Sequence, residues 1–242
     1  MCRHLAYLGP PVPLAGPLFD APHSLSQQSW APRDMRGGGT INADGFGIGW
    51  YTDGTPVRYR RDRPLWSDAD LPAMAASIHS GAFLAAIRSA TVGMPVTEAA
   101  AAPFAGDGWF FSHNGKVLGW PDSVAQLALP PLLTLEAPTD SALLWALLRT
   151  RLRTGMAPGD ALLDVVALVS AAAPGSRLNL LLTDGTTIAA TTCGHSLSVK
   201  AEPGRVLVAS EPLDPSPAWQ PVPDGTLLTA TATTVNLRSV ES

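Results

Sequence analysis

Short strand-like runs gather toward both ends of this 242-residue chain, and its two longest helix-like segments lie between them. Such grouping argues for an α+β fold with antiparallel sheets, since a βαβ winding would alternate strand and helix patterns. Asp53-Gly54-Thr55 separates the runs Gly45–Tyr51 and Pro56–Arg61, and Asp184-Gly185 separates Leu178–Thr183 from Thr186–Thr192. Asp-Gly between such runs predicts a hairpin, because both residues tolerate the positive φ that tight turns need. Further strands are expected at Arg3–Leu8, Phe83–Arg88, Trp109–His113, Ser196–Lys200 and Val206–Ser210, with Leu227–Thr231 closing the sheet. The clearest helix is Asp140–Arg153: Thr139 or Asp140 can cap it, Leu143, Leu144, Leu147 and Leu148 form its apolar stripe, and Gly155 stops it. A second helix is predicted over Pro158–Ala173 and a shorter one over Asp68–His79. No internal repeat or long linker divides the chain, so residues 2–242 are expected to form one domain, with the proline-rich Pro212–Pro223 as a surface excursion.

Composition excludes several classes of function. A formal net charge of −4 gives no basic face for a nucleic acid. Cys2 and Cys193 are the only cysteines, too few for a disulfide framework, which points to a reducing cytoplasm. Leu5–Phe19 is broken by prolines and lacks the apolar centre of a signal peptide, and Ala161–Ala173 is too short to span a bilayer. The five histidines (4, 23, 79, 113 and 195) contain no i,i+4 pair and there is no Cys-x-x-Cys, so neither metal nor cofactor is expected. Gly45-Phe46-Gly47-Ile48-Gly49 is not followed by Lys-Ser/Thr, which argues against a phosphate loop.

Cys2 directly follows the initiator methionine. Removal of Met1 is expected, because the next residue is small, and would leave a cysteine whose thiol and α-amine share one residue. The thiol is a nucleophile, and an α-amine with an ordinary pKa of about 7.7–8.0 is a usable base near neutral pH. The two form a complete nucleophile–base pair without a histidine. A Cys–His dyad through His113 or His79 stays open on sequence grounds, as does a binding protein without catalysis.

Four further segments accompany Cys2: Asn42-x-Asp44-Gly45-Phe46-Gly47-Ile48-Gly49-Trp50-Tyr51; Ala86-Ile87-Arg88-Ser89-Ala90-Thr91; Pro103-Phe104 followed by Phe111-Ser112-His113-Asn114-Gly115; and Thr139-Asp140-Ser141. In this order they resemble the class II glutamine amidotransferase domain of the N-terminal-nucleophile hydrolases, from Cys2 to about Val208. Within that family the chain is similar to the stand-alone γ-glutamyl-hercynylcysteine sulfoxide amidohydrolases of ergothioneine biosynthesis. It shares their Cys-Arg-His-Leu opening, their Asp-Gly-Phe-Gly-Ile-Gly-Trp-Tyr run and a late Ala-Ser-Glu-Pro at Ala209–Pro212.

The resemblance implies an αββα four-layer sandwich of two antiparallel sheets flanked by helices. It also assigns roles. Cys2 would be the nucleophile, with the Asn114 side chain and the Gly115 N–H as the oxyanion hole. Arg88 would bind the α-carboxylate of a γ-glutamyl group, since a guanidinium can grip a carboxylate with two parallel hydrogen bonds. Asp140 would take the α-ammonium, and His113 would lie against the substrate. The implied reaction is hydrolysis of a small-molecule γ-glutamyl amide; the alternative is a glutaminase subunit that supplies ammonia to a synthase partner. The leaving amine of the ergothioneine reading carries a trimethylammonium, which aromatic faces can hold; Trp30, Trp50, Tyr51, Trp109 and Trp120 lie in or near the matched segments. Cys193 is expected to be an inert thiol, and the loop Gln27–Gly39 occupies a region that often covers substrate in the family.

Overall fold

The first sheet is organised around β1 (Arg3–Pro13), which has an antiparallel neighbour on each side. On one flank β4 (His79–Ile87) pairs with it, followed by β2 (Phe46–Thr52) and β3 (Thr55–Arg61). On the other flank lie β10 (Arg205–Ala209), β9 (Ser198–Glu202) and β11 (Trp219–Pro221), so the order is β11-β9-β10-β1-β4-β2-β3. The second sheet has the order β13-β12-β8-β7-β6-β5. Its strands are β5 (Phe104–Gly106), β6 (Trp109–Lys116), β7 (Arg177–Thr183), β8 (Ile188–Thr192), β12 (Thr226–Ala230) and β13 (Val235–Ser239). These elements belong to a computed structural model that describes residues 2–36, 41–128 and 135–240.

Strand periodicity sorts the core into three apolar layers. Along β1, Leu5 and Tyr7 face helices α1 (Leu25–Trp30) and α2 (Leu71–Ser77), while Ala6 and Leu8 face the other sheet. Along β6, Phe110 points between the sheets and Phe111 points to helices α4 (Asp140–Arg153) and α5 (Pro158–Ala172), where it stacks on Trp145. A single turn, α3 (Ala125–Ala128), precedes α4. Helix, sheet, sheet and helix therefore form four layers, the αββα sandwich that the resemblance implied. The period of two also means that Cys2 and His4 share the inner face of the first sheet with Ala6 and Leu8.

The glycine-rich run belongs to this packing. A Cβ on Gly49 would lie 2.7 Å from the Phe110 ring, so the run lets the two sheets approach. Gly45, with φ of +134°, turns the chain into β2, and a Cβ there would meet the Arg61 carbonyl at 3.0 Å.

Most expected elements form near their expected positions. Asp53 and Gly54 both have positive φ and join β2 to β3. Thr139, not Asp140, caps α4: its Oγ1 accepts from the Ala142 N–H at 3.2 Å. The expectations fail in four places. The helix predicted over Asp68–His79 is only α2, because the chain enters β4 at His79. Thr226–Ala230 does not close its sheet, since β13 pairs outside it. The proline-rich segment is not wholly a surface excursion: β11 joins the first sheet and buries Trp219. Gln27–Gly39 opens in α1, and its Gly37–Gly39 end lies outside the described residues.

Candidate active site

Cys2 stands at the amino end of β1, in register with the first residue beyond β4. Arg3 pairs with Ile87, which sets Cys2 opposite Arg88. The half-buried Cys2 thiol lies 3.7 Å from the Ser89 carbonyl. Its backbone is held from below by Arg3, whose Nη1 donates to the Cys2 carbonyl at 2.9 Å. The Arg3 guanidinium is fully buried and reaches Glu211, with Nε 2.8 Å from Oε1. A further N–H of Arg3 donates to the Asp34 carbonyl. Glu211 also accepts from His23 Nε2 at 2.6 Å and from the Arg33 and Asp34 amides at 2.9 and 3.2 Å. Burial alone would push the Glu211 carboxyl up. The His23 bond, the Arg33 amide and the Arg3 charge overcome it and hold the group at about 2. One buried carboxylate thus ties the segment after α1 to the residue next to Cys2.

Arg88 sits just past β4, and its backbone is latched by the Asp44-Gly45 motif. The Arg88 N–H donates to the Gly45 carbonyl at 2.7 Å, the Arg88 carbonyl accepts from the Asp44 N–H at 3.0 Å, and Asp44 Oδ2 accepts from the Ala90 amide at 2.7 Å. Its guanidinium, only 8% exposed, donates through Nη1 to the Pro95 carbonyl. Among the described residues no carboxylate pairs with it. Arg88 shares a small pocket with Cys2, Phe104, Ser112, His113 and Ser141. The pocket holds about 20 Å³, room for one water, so a larger ligand has to displace its walls.

Asn114 and Gly115 lie inside β6, opposite Asn179 and Leu178, and not in a turn. Asn114 shares the inner face with Ser112, and its buried Oδ1 has no hydrogen-bond partner. A buried acceptor without a partner costs about 1–3 kcal/mol, and a carboxamide can rotate to present its NH₂ instead. A Cβ on Gly115 would fall 1.8 Å from the Arg177 carbonyl, so only glycine fits.

His113 lines the pocket, but both ring nitrogens are engaged: Nε2 donates to the Arg177 carbonyl at 2.9 Å and Nδ1 lies 3.0 Å from Ser141 Oγ. The ring orients Ser141. Asp140 does not line the pocket. Its Oδ2 accepts from the Val117 amide at 3.0 Å and its Oδ1 from the Ser141 amide at 2.7 Å. Oδ1 also lies 3.3 Å from the Ser141 hydroxyl, so the free lone pair is on Oδ2. The Cys–His alternatives find no support in this geometry, since His79 pairs with Pro13 at the far end of β1 and the His113 ring is already bonded on both sides.

Several neighbours were not singled out from sequence. His4 is fully buried behind Cys2, 3.1 Å from Ser112 Oγ, with its backbone joined to Ser210. Burial, then the neighbouring His113, His195 and Arg3, lower His4 to about 3. Burial, followed by Arg177 and Arg3, lowers His195 to about 4. Both rings are neutral at pH 7. Ser141 and Glu211 stand inside matched segments, and their roles depend on contacts that no spacing reveals. None of the five aromatics considered for a quaternary ammonium lines the Cys2 pocket. Trp50 is core, Trp109 and Trp120 pack under α4 and α5, Tyr51 packs on Phe110, and Trp30 is exposed. Cys193 is half-buried near the Ser176 carbonyl, and burial raises its pKa.

Comparison with known proteins accords with this arrangement. The family model described as "Glutamine amidotransferases class-II" matches residues 16–204. The chain belongs to the class-II glutamine amidotransferase family. Among members of this family it is 43% identical to a Mycolicibacterium smegmatis protein named gamma-glutamyl-hercynylcysteine sulfoxide hydrolase, over 93% of each chain. A Mycobacterium tuberculosis protein of the same name is 39% identical over 100% of this chain and 97% of its own. A class-II domain protein from Silicibacter pomeroyi superposes with a TM-score of 0.71 at 27% identity over the full length of both. The phosphoribosylpyrophosphate amidotransferase of B. subtilis also gives 0.71, at 13% identity, and 49% of that chain is covered; it shows the shared fold alone. Within the class-II match lie Arg88, His113, Asn114, Gly115 and Asp140, whereas Cys2 precedes it.

Proposed function

We propose that this chain is an N-terminal-nucleophile amidohydrolase that releases glutamate from a γ-glutamyl amide, with γ-glutamyl-hercynylcysteine sulfoxide as the substrate. The observation that carries the reading is Arg88, a buried guanidinium without a carboxylate partner among the described residues, in one pocket with the Cys2 thiol. A buried cation is costly until an anion meets it, and the α-carboxylate of a γ-glutamyl group is such an anion. The names of the full-length mycobacterial relatives support the amine half.

After Met1 is removed, the Cys2 thiol loses its proton to its own α-amine and attacks the γ-carbonyl carbon. The carbonyl oxygen becomes an oxyanion, which the Asn114 NH₂ and the Gly115 N–H stabilise; removal of one such donor costs roughly 2.7–4 kcal/mol. Collapse breaks the C–N bond, and the α-ammonium gives its proton to the leaving nitrogen. A γ-glutamyl thioester remains. Water, deprotonated by the amine, attacks it and returns glutamate and the thiol. Asp140 receives the α-ammonium through the free lone pair of Oδ2.

Glutamate release is to be measured on glutamine, γ-glutamyl-cysteine, glutathione and γ-glutamyl-hercynylcysteine sulfoxide. The conjugate is expected to dominate, the active protein to lack Met1 by intact mass, and Cys2→Ala to be inactive. Turnover of glutamine alone would show an ammonia supplier, and an active Cys2→Ala protein would end the mechanism.

A further inference from the structure

A second, larger pocket of about 450 Å³ opens on the other side of the nucleophile. The sheet order β10-β1-β4 explains where it lies. The Arg88 pocket is built on the end of β4, by Ala86, Ile87 and Arg88. The larger pocket is built on the chain leaving β10, by Ser210, Glu211 and Pro212, and the two share no lining residue. Ser210 holds the His4 backbone, and Glu211 holds Arg3, whose guanidinium donates to the Cys2 carbonyl. The amino end of β1 therefore stands between two pockets.

An amide places its acyl and amine halves on opposite sides of the carbon under attack. With the γ-glutamyl half against Arg88, the amine half extends toward the β10 flank. A volume of 450 Å³ lies within the range of small-molecule sites, about 300–1,000 Å³. The outer wall is the segment after α1. Asp34 and Arg36 form an ion pair there, with Nη2 2.6 Å from Oδ2, and Arg36 is more than half exposed. Asp34 is 23% exposed and also accepts from the Arg36 amide at 3.0 Å, so the pair is held on the Asp34 side and open to solvent on the Arg36 side, where charges on a ligand compete with it. The Asp34 backbone is fixed by Arg3 and Glu211, which leaves its side chain to face the pocket from a set position.

We propose that this pocket is the subsite for the amine half of the substrate, where Asp34 takes a quaternary ammonium and Arg36 a carboxylate of the zwitterionic leaving amine. The inference rests on the γ-glutamyl hydrolase reading. It replaces an aromatic cage with a carboxylate, since among the described residues no aromatic side chain lines the pocket.

The test compares hydrolysis of γ-glutamyl-hercynylcysteine sulfoxide with that of γ-glutamyl methylamide, whose amine half cannot reach the pocket. Asp34→Asn is expected to lower kcat/KM for the conjugate about tenfold more than for the methylamide, through KM, because the quaternary ammonium, which has no N–H to donate, loses the opposite charge it faced. Arg36→Gln, on a side chain too exposed to threaten folding, is expected to discriminate in the same sense. Equal losses on both substrates, or none, would overturn the subsite while leaving the hydrolase reading intact. Failure of the unsubstituted enzyme to cleave the conjugate would overturn both.

Discussion

Replacement of Glu211 by Gln keeps the shape of the buried clamp and removes its charge. Two routes give the cost. A carboxyl held at about 2 instead of 4.5 contributes about 3 kcal/mol at neutral pH. Breaking one partner out of a buried ion pair costs about 3–5 kcal/mol, and here the stranded partner is the fully buried Arg3. We therefore expect Glu211→Gln to lose about 3 kcal/mol of unfolding free energy at pH 7 by urea titration. Folding lowers this pKa, so its stabilisation is complete above pH 4.5 and fades as pH falls toward 2. At pH 3.5 the gap between the two proteins should have narrowed by about 1.4 kcal/mol. A gap under about 1 kcal/mol at pH 7, within the range of an exposed pair, would refute the clamp. So would a gap that does not change between pH 7 and 3.5.

Three other outcomes follow from the same contacts. Arg88→Lys should lower kcat/KM for γ-glutamyl substrates roughly 10–100-fold, mainly through KM, because an ammonium cannot make two parallel bonds to a carboxylate; steady-state kinetics with an unchanged KM would contradict this. Burial lowers His4 to about 3 and His195 to about 4, so the unfolded chain binds protons first below its ordinary value of 6.5. Stability should then fall from pH 6.5 to 4 by up to roughly 1.4 kcal/mol per pH unit for each ring. His4→Gln should remove its share and leave that of His195, and a slope undiminished by the substitution would count against it. Gly49→Ala should cost about 1–3 kcal/mol through overpacking against Phe110, with recovery in Gly49→Ala/Phe110→Leu; thermal melts that show no such rescue would argue against close approach of the sheets.

Patterns that recur over a few residues were readable before any coordinates. The α4 stripe of leucines, its Thr139 start and its Gly155 stop are local, and they appear where the periodicity placed them. The two Asp-Gly hairpins are local in the same way, because positive φ is a property of the turn residues. Short elements were harder to see. β13 and β11 owe their pairing to neighbours far along the chain, and α2 ends where tertiary pairing claims His79 for β4. Asn114-Gly115 reads as a turn in isolation, yet β7 pairs with it and makes it strand.

Position behind Met1 singled out Cys2, and the resemblance to class II amidotransferases, carried by short motifs in order, named Arg88, Asn114, Gly115 and Asp140. Spacing could not reveal that His113 is tied up with Ser141 and Arg177, or that Glu211 joins Arg3 to the segment at Arg33, 178 residues before Glu211 in the chain. Nor could it place β1 between two pockets. Those features arise only when strands distant in sequence are laid side by side. Burial then strips away water and turns ordinary side chains into fixed charges and fixed hydrogen bonds.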